Sequence, residues 1–287
     1  MSMEILRVIK PGASAAIQDA GRVGWKRFGV PSSGAMDDHA ARWANRLLDN
    51  PPEAPLLEVL LAGAEFAVQR DVWITITGAH GGSSRACWRV LRVCSGETIR
   101  FAGGQNGVWS YVAVEGGFEA PRFLGSASVY ARGGLGMPLQ SGDVLRRTNQ
   151  SEFHLPEHVA GRIAPWNEQR DYRTPPALRV WPGPQWGFFS DTEKQKFFAQ
   201  NWTVSSQSDR VGYRLKGEPL ASRGEQIISE PVRVGSIQIP ENGQPIVTLR
   251  DGPTVGGYPK LGLVDAADIA WLVQCNAGQP VRFRLAA

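Results

Sequence analysis

The chain has 287 residues, 42% hydrophobic and 20% charged, with 33 glycines and 20 prolines. This length suits two domains of about 100–200 residues each, with enough apolar surface to build cores without metals or disulfides. The net charge of +4 is spread among interleaved acidic residues with no basic run, which argues against a nucleic-acid partner.

Glycine and proline above their average shares favour tight turns and short strands, so a mainly β fold is expected. In the first half, strands are predicted at residues 5–9, 57–60, 72–77, 88–93, 98–101 and 109–114, most of them bounded by turn residues. One helix is predicted over about 38–48. Ala40, Trp43, Ala44, Leu47 and Leu48 recur at helical spacing, Asp37 or Asp38 caps the start, and Asn50-Pro51-Pro52 ends it. Residues 151–176 lose strand character and carry His154, Pro156, His158, Pro165, Pro175 and Pro176. This stretch reads as an inter-domain connection, giving domains at 1–160 and 161–287. Strands resume at 178–181, 202–205, 233–239, 246–250 and 281–285. Two short helices are predicted among them, one after the capping box Ser190–Glu193 and one over 266–274.

A short echo supports barrel-like structure. Ser95-Gly96-Glu97-Thr98-Ile99-Arg100 is repeated as Ser141-Gly142-Asp143-Val144-Leu145-Arg146 and as Ala277-Gly278-Gln279-Pro280-Val281-Arg282. Each is a glycine turn feeding a strand with an inward apolar residue beside an outward arginine, a unit that recurs in β-barrels.

The N-terminus has no apolar signal-peptide core, and no run of 18 apolar residues exists to span a bilayer, so a cytoplasmic location without membrane association is expected. The three cysteines, Cys87, Cys94 and Cys275, form no CxxC pair and read as buried free thiols, so no metal site is expected. Walker A, HExxH, EF-hand and GxSxG patterns are absent. Gly133-Gly134-Leu135-Gly136 follows no βαβ pattern and reads as a turn. His80-Gly81-Gly82 reads as a hairpin turn and His39 as structural.

Polar clusters in turn contexts remain. The first is Gln18, Asp19 and Arg22 with Met36 and Asp37. The second is Ser206, Gln207, Ser208, Asp209, Arg210 and Tyr213. The third is Gln238, Asn242 and Gln244. The fourth is Asp251, Gly257, Tyr258 and Lys260. Ordinary turn chemistry accounts for many of these residues, since Asn242-Gly243 alone is a strong hairpin signal. Four clusters rich in Gln and Asn nonetheless suit a planar lactam- or urea-like ligand, because an amide side chain both donates and accepts.

At these residues the chain resembles the second component of allophanate-hydrolase-type proteins, a family largely identified with the C-type subunit of 5-oxoprolinase. It also resembles part of the carboxyltransferase region of urea carboxylase. The resemblance is carried by IQDAGRVGWKRFGVPSSGAMD, SYVAVEGGFEAPRFLGS, SSQSDRVGYRL, IQIPENGQPIVTLRD and GGYPKLG. It implies two tandem cyclophilin-like β-barrels, a B-type partner subunit and a third, A-type subunit. It also implies ATP-dependent opening of the lactam 5-oxoproline to glutamate, with ATP and Mg bound in the complex. Under that reading, Arg210 and Lys260 serve phosphate groups, Gln207, Asn242 and Gln244 orient the lactam, and Asp209 or Asp251 faces the attacking water; Asp209, Asn242, Asp251 and Lys260 form the catalytic set. Two alternatives are a carboxyltransferase component that uses carboxybiotin on a urea-like substrate, and a non-enzymatic regulator of a kinase-inhibitor partner. The chain departs from the family at Ala15-Ala16, Ala127-Ser128-Val129 and Pro253-Thr254-Val255, where hydroxyls or an amide are usual, and it stops at Ala287 where many relatives continue into a helical tail.

Overall fold

In the computed structural model, residues 2–80, 83–103, 106–148, 161–222 and 227–286 are described. The chain forms two compact units, Met1–Arg22 with Ser33–Arg173, and Val23–Ser32 with Thr174–Ala287. Residues 161–173 thus group with the first unit. The reason is local: Val90 donates to the Arg162 carbonyl at 2.8 Å, Ala164 to the Trp88 carbonyl at 2.9 Å and Tyr172 to the Asp37 carboxylate at 2.7 Å, tying 162–172 to the first unit. His154, Pro156, His158, Gly81 and Gly82 lie outside the described residues.

The first unit contains β1 (Ser2–Pro11), β2 (Ser14–Gln18), β3 (Leu56–Leu60), β4 (Ala62–Val68) and β5 (Val72–His80). It continues with β6 (Arg89–Val93), β7 (Thr98–Ala102), β8 (Asn106–Val114) and β9 (Val144–Thr148). They form a sheet ordered β7-β4-β1-β9 and a second ordered β2-β3-β8-β5-β6. Leu6, Val8, Phe66, Ile99 and Phe101 from the first meet Ile17, Leu57, Val59, Ile74, Ile76 and Val112 from the second in one apolar core. The other face of β8 and β5 is covered by α1 (Asp38–Leu47), capped at Asp37, whose carboxylate accepts from Ala40 at 2.9 Å. Thr75 and Thr77 donate to the Ala44 and Ala40 carbonyls, both at 2.8 Å, so this sheet face satisfies its hydroxyls on the helix.

Gly78 has φ 86°, and a Cβ there would lie 2.3 Å from the Trp109 carbonyl oxygen. Gly78→Ala is expected to destabilise the protein by about 2–4 kcal/mol, because strain and a backbone clash combine. Urea unfolding measures this, and a cost below about 1 kcal/mol would contradict the packing described.

The second unit contains β10 (Leu178–Pro182), β11 (Trp202–Val204), β12 (Gly212–Lys216), β13 (Glu230–Pro231) and β14 (Ser236–Gln238). After these come β15 (Ile246–Thr248), β16 (Val255–Gly256), β17 (Lys260–Val264), β18 (Pro280–Val281) and β19 (Phe283–Leu285). Eight of them form a sheet ordered β18-β11-β12-β15-β14-β17-β10-β19, with β13 and β16 as a separate ribbon. The end strands β18 and β19 are one stretch of chain turned at Arg282. Its first half pairs with β11 and its second with β10, so the sheet curls into a nearly closed barrel. The mainly β fold expected from composition is what the chain adopts.

The glycine echo has a common geometry. Gly96, Gly142 and Gly278 have φ of 86°, 93° and 87° and donate to the carbonyls of Val68, Val8 and Val204 at 2.9, 2.8 and 2.8 Å. In each case that valine donates back to the residue after the glycine. Ile99, Leu145 and Val281 are buried, and the arginines beside them are exposed.

Two helical expectations need adjustment. In α2 (Asp191–Ala199), Ser190 accepts from Glu193 at 3.2 Å, but the Glu193 carboxylate accepts from Ala221 at 2.8 Å in place of closing the capping box. α3 (Ala266–Leu272) ends two residues before the expected position. Cys94 is exposed, contrary to the expectation of three buried thiols. Burial pushes the Cys87 thiol up to about 11 and that of Cys275 to about 12, so both stay protonated. Among the described residues, no helix is long and apolar enough to cross a membrane.

Candidate functional site

The first cluster of polar residues belongs to the first unit, and its side chains bind its own loops. Gln18, at the end of β2, donates to the Val129 carbonyl at 3.3 Å. Asp19 is a buried node. It accepts from the hydroxyls of Ser126 and Ser128 at 2.6 Å each, from the Ala127 amide at 2.7 Å and from Gly21 at 2.8 Å. Burial pushes its carboxyl up, but these four hydrogen bonds outweigh burial and hold it below the ordinary aspartate range. Arg22 is buried and donates to the carbonyls of Phe123 and Ser128. Met36 is buried and its amide donates to Glu58 at 2.7 Å. Asp37 caps α1 and accepts from Tyr172. The Tyr111 hydroxyl links the Glu58 carboxylate to the Asp37 backbone, donating to Glu58 at 2.9 Å and accepting from the Asp37 N–H at 2.7 Å. Burial, with Glu58 and Asp37 adding, pushes the Tyr111 phenol well above its usual value.

The other three clusters meet in the second unit. The turn between β11 and β12 carries Ser206, Gln207, Ser208, Asp209 and Arg210. Asp209 accepts from Val211 at 2.9 Å and Gly212 at 3.2 Å, which closes the turn. The Ser208 hydroxyl exchanges hydrogen bonds with the Arg214 backbone at 3.0 and 3.4 Å. Arg210 donates twice to Asp251, at 2.7 and 3.2 Å. Tyr213 points into the core and donates to the Val273 carbonyl at 2.6 Å.

Beside this turn lies a cavity of about 270 Å3 whose lining includes Ser205, Gln207, Arg214, Asn242, Gln244 and Tyr258, together with Lys216 and the apolar Leu215, Pro240, Pro245 and Ile246. It brings together Gln207, Asn242, Gln244 and Tyr258 from three of the clusters. The Gln244 amide makes a pair of 3.0 Å hydrogen bonds to Gly217, and the Asn242 side-chain oxygen accepts from the Gln244 amide N–H at 3.0 Å. These three bonds fix the turn. Among the described residues, Gln207 and Tyr258 make no side-chain hydrogen bond.

Arg214 and Ile246, which line the cavity, begin a lateral row of paired residues. Arg214 is opposite Ile246, Ile246 opposite Gln238, and Gln238 opposite Lys260, so the four share one sheet face across β12, β15, β14 and β17. Gln238 donates to Thr248 at 2.8 Å. A Cβ on Gly256 would lie 2.7 Å from the Gln238 side-chain oxygen, so glycine lets the chain pass close to it. The next residue, Gly257, accepts from the Ile227 amide at 3.3 Å. Lys260 is buried and ion-paired with Glu230, which also accepts from Gln185 at 2.8 Å. Lys260, then Gln185, holds the Glu230 carboxyl below the usual range.

Arg214 and Lys216 stand outside the four clusters, although Arg214 lies within SSQSDRVGYRL. The alternation Tyr213-Arg214-Leu215-Lys216, apolar in and charged out, is the sequence signal that marks them. A larger groove of about 450 Å3 runs along α1 past His39, Arg42, Trp43 and Arg46. It gathers none of the four clusters. Its arginines are occupied, Arg42 with Asp38 and Arg46 over the Trp43 ring, and His39 is bonded to the Glu168 carbonyl. Among the described residues, no group of three metal-ligating side chains occurs.

The carboxyltransferase domain, subdomain A and B, family matches residues 28–285. The chain is 33% identical to the C-type subunit of 5-oxoprolinase from Escherichia coli (strain K12), over 97% of this chain and 90% of that one. It is 30% identical to the urea amidolyase of Saccharomyces cerevisiae over 97% of this chain, but spans only 16% of that protein. The crystal structure of TTHA0988 superposes with a TM-score of 0.87 at 34% identity, covering 98% of this chain and 55% of that one. This chain thus spans about half of the solved structure and a small part of the amidolyase. A correspondence running almost end to end makes the assignment plain: the chain belongs to the carboxyltransferase domain, subdomain A and B, family.

Proposed function

We propose that this chain is the C-type subunit of an ATP-dependent 5-oxoprolinase, opening 5-oxoproline to glutamate together with B- and A-type partners. The observation that carries this reading is the match to the C-type 5-oxoprolinase subunit along 90% of that protein. The cavity in the second unit supports it. Gln207, Asn242 and Tyr258 offer donors and acceptors in a space of about 270 Å3, slightly below the usual range for ligand pockets and suited to a small lactam. No glycine-rich loop opens a helix among the described residues. In this reading ATP and its Mg are bound in the assembled complex.

The lactam amide is a poor electrophile, and the ATP-dependent system supplies its activation. This chain's part is to hold and orient the ring, Gln207 and Asn242 toward its amide and Tyr258 along its face. Asp209 and Asp251 are committed to the turn and to Arg210, which favours positioning roles for them over that of a base. The departures from the family pattern lie away from the cavity lining. Ala15 and Ala16 are buried in β2, Ser128 serves Asp19, and Pro253–Val255 leads into the β16 ribbon.

In the assembled complex, Gln207→Ala and Tyr258→Ala are each expected to lower kcat/KM for 5-oxoproline by about tenfold or more, with Tm nearly unchanged. Full activity in both variants would remove the cavity from the reaction.

A second reading has its own support: the family match and the urea amidolyase similarity favour a carboxyltransferase acting with carboxybiotin on a urea-like substrate. Carboxylation of urea by the chain with a biotin carrier and carboxylase, in place of lactam turnover, distinguishes the two.

A further inference from the structure

We propose that Arg214 and Lys216 form a carboxylate anchor in the second-unit cavity, so that its ligand is a small molecule carrying one free carboxylate. The inference rests on the reading of this cavity as the substrate site.

Four observations lead to it. The first is position. β12 is hydrogen-bonded on both sides, to β11 and to β15, and Tyr213 and Leu215 are buried on its inner face. Arg214 and Lys216 therefore stand on its outer face, about 6.5 Å apart along a rigid strand.

The second is charge. Neighbouring cations have partners: Arg210 has Asp251, Lys260 has Glu230, and Lys196 has Glu193 and Glu218. Among the described residues, Arg214 and Lys216 have no carboxylate within ion-pair distance, and no acidic residue lines the cavity. Two like charges held side by side repel each other, and an anion between them relieves that repulsion.

The third is the rest of the lining. Gln207, Asn242 and Tyr258 are neutral donors and acceptors placed around the same space. A ligand with an anionic end and a neutral amide end matches both halves. The fourth is size. A cavity of about 270 Å3 has room for a small acid, and the planar fork of arginine pairs with a carboxylate through two parallel hydrogen bonds.

The test is binding to the full chain and to its assembled complex, followed by backbone amide shifts and by calorimetry. Three probes are compared: 5-oxoproline, the same lactam lacking the carboxylate (2-pyrrolidinone), and inorganic phosphate. Expected are shifts confined to the 205–216, 240–246 and 258 regions with 5-oxoproline, and binding of 2-pyrrolidinone weaker by about tenfold or more. The double variant Arg214→Ala/Lys216→Ala should lose 5-oxoproline binding by a similar factor with Tm unchanged, and Arg214→Lys should retain part of it. Equal binding of 2-pyrrolidinone, phosphate binding tighter than the carboxylate, or an unaffected double variant would each overturn the anchor. Turnover of 5-oxoproline by the complex with an unchanged KM in the double variant would sink the anchor and leave the proposed reaction standing. Carboxylate binding that disappears in the double variant, without lactam turnover by the complex, would do the reverse.

Discussion

Asp19→Ala is expected to lower the unfolding free energy by about 3–5 kcal/mol, among the largest effects of any single polar substitution in this chain. Four donors converge on this buried carboxylate, and three of them, Ser126, Ala127 and Ser128, come from a segment more than 100 residues away in sequence. Removing the acceptor leaves those donors buried without a partner, while Arg22 still depends on the same segment for its acceptor at Ser128. The pH dependence has a definite sign. Because the folded carboxyl lies below the ordinary aspartate range, its contribution is fully present above about pH 4 and is lost as pH falls through the folded value. The stability gap between wild type and Asp19→Ala should therefore be constant from about pH 5 to 7 and shrink in acid. Chemical unfolding at several pH values measures this. A gap below about 1 kcal/mol at neutral pH would mean that Asp19 does not hold the two loops.

Asp251→Ala is expected to cost about 2–4 kcal/mol, because it removes the carboxylate that Arg210 bonds twice in a largely buried position. The Asp251 side chain is 10% exposed and that of Arg210 19%. The pair spans the turn after β11 and the loop after β15, where the Asp251 amide also donates to the Arg210 carbonyl at 2.9 Å. Replacing both partners, as Arg210→Met/Asp251→Leu, should recover at least half of the loss, because the penalty comes chiefly from a buried charge deprived of its carboxylate. A double-mutant cycle by urea unfolding reads this coupling. If Asp251→Ala unfolds like wild type yet abolishes turnover by the complex, Asp251 is a reacting group and the structural role assigned to it is wrong.

These two aspartates mark the limit of what residue type discloses. Asp19, Asp37, Asp209 and Asp251 all stand among glycines, serines and arginines, the surroundings expected of a ligand site. Three of them are consumed by loop closure and helix capping, and Asp251 by an ion pair. A buried acceptor and an exposed one carry the same letter; only the long-range partners, such as Ser126 and Ser128 for Asp19, separate them. Where local chemistry suffices, sequence is a good guide. α1 follows from its apolar spacing and the Asp37 cap. The three glycine turns follow from the need for positive φ before a strand. The long apolar run of β8 is buried on both faces.

The elements that escape such reading are those made by tertiary pairing. β4, with Ala62, Gly63, Ala64 and Ala67, has weak strand propensity and exists because β1 and β7 flank it. β12 is hidden inside a polar cluster. That concealment also hides Arg214 and Lys216, the outward half of its alternation. The excursion of Val23–Ser32 into the second unit is likewise a property of packing that no periodicity encodes. The amide side chains of Gln207, Asn242 and Gln244 are legible as candidates for one site, whereas Gln18 carries the same chemistry in a different unit.

The most direct test of the proposed role is glutamate release from 5-oxoproline, measured with and without ATP, first for the chain alone and then after mixing with purified B- and A-type subunits. The account predicts ATP-dependent release only from the mixture, with loss of activity when this chain is omitted. A stable complex that releases no glutamate would contradict it.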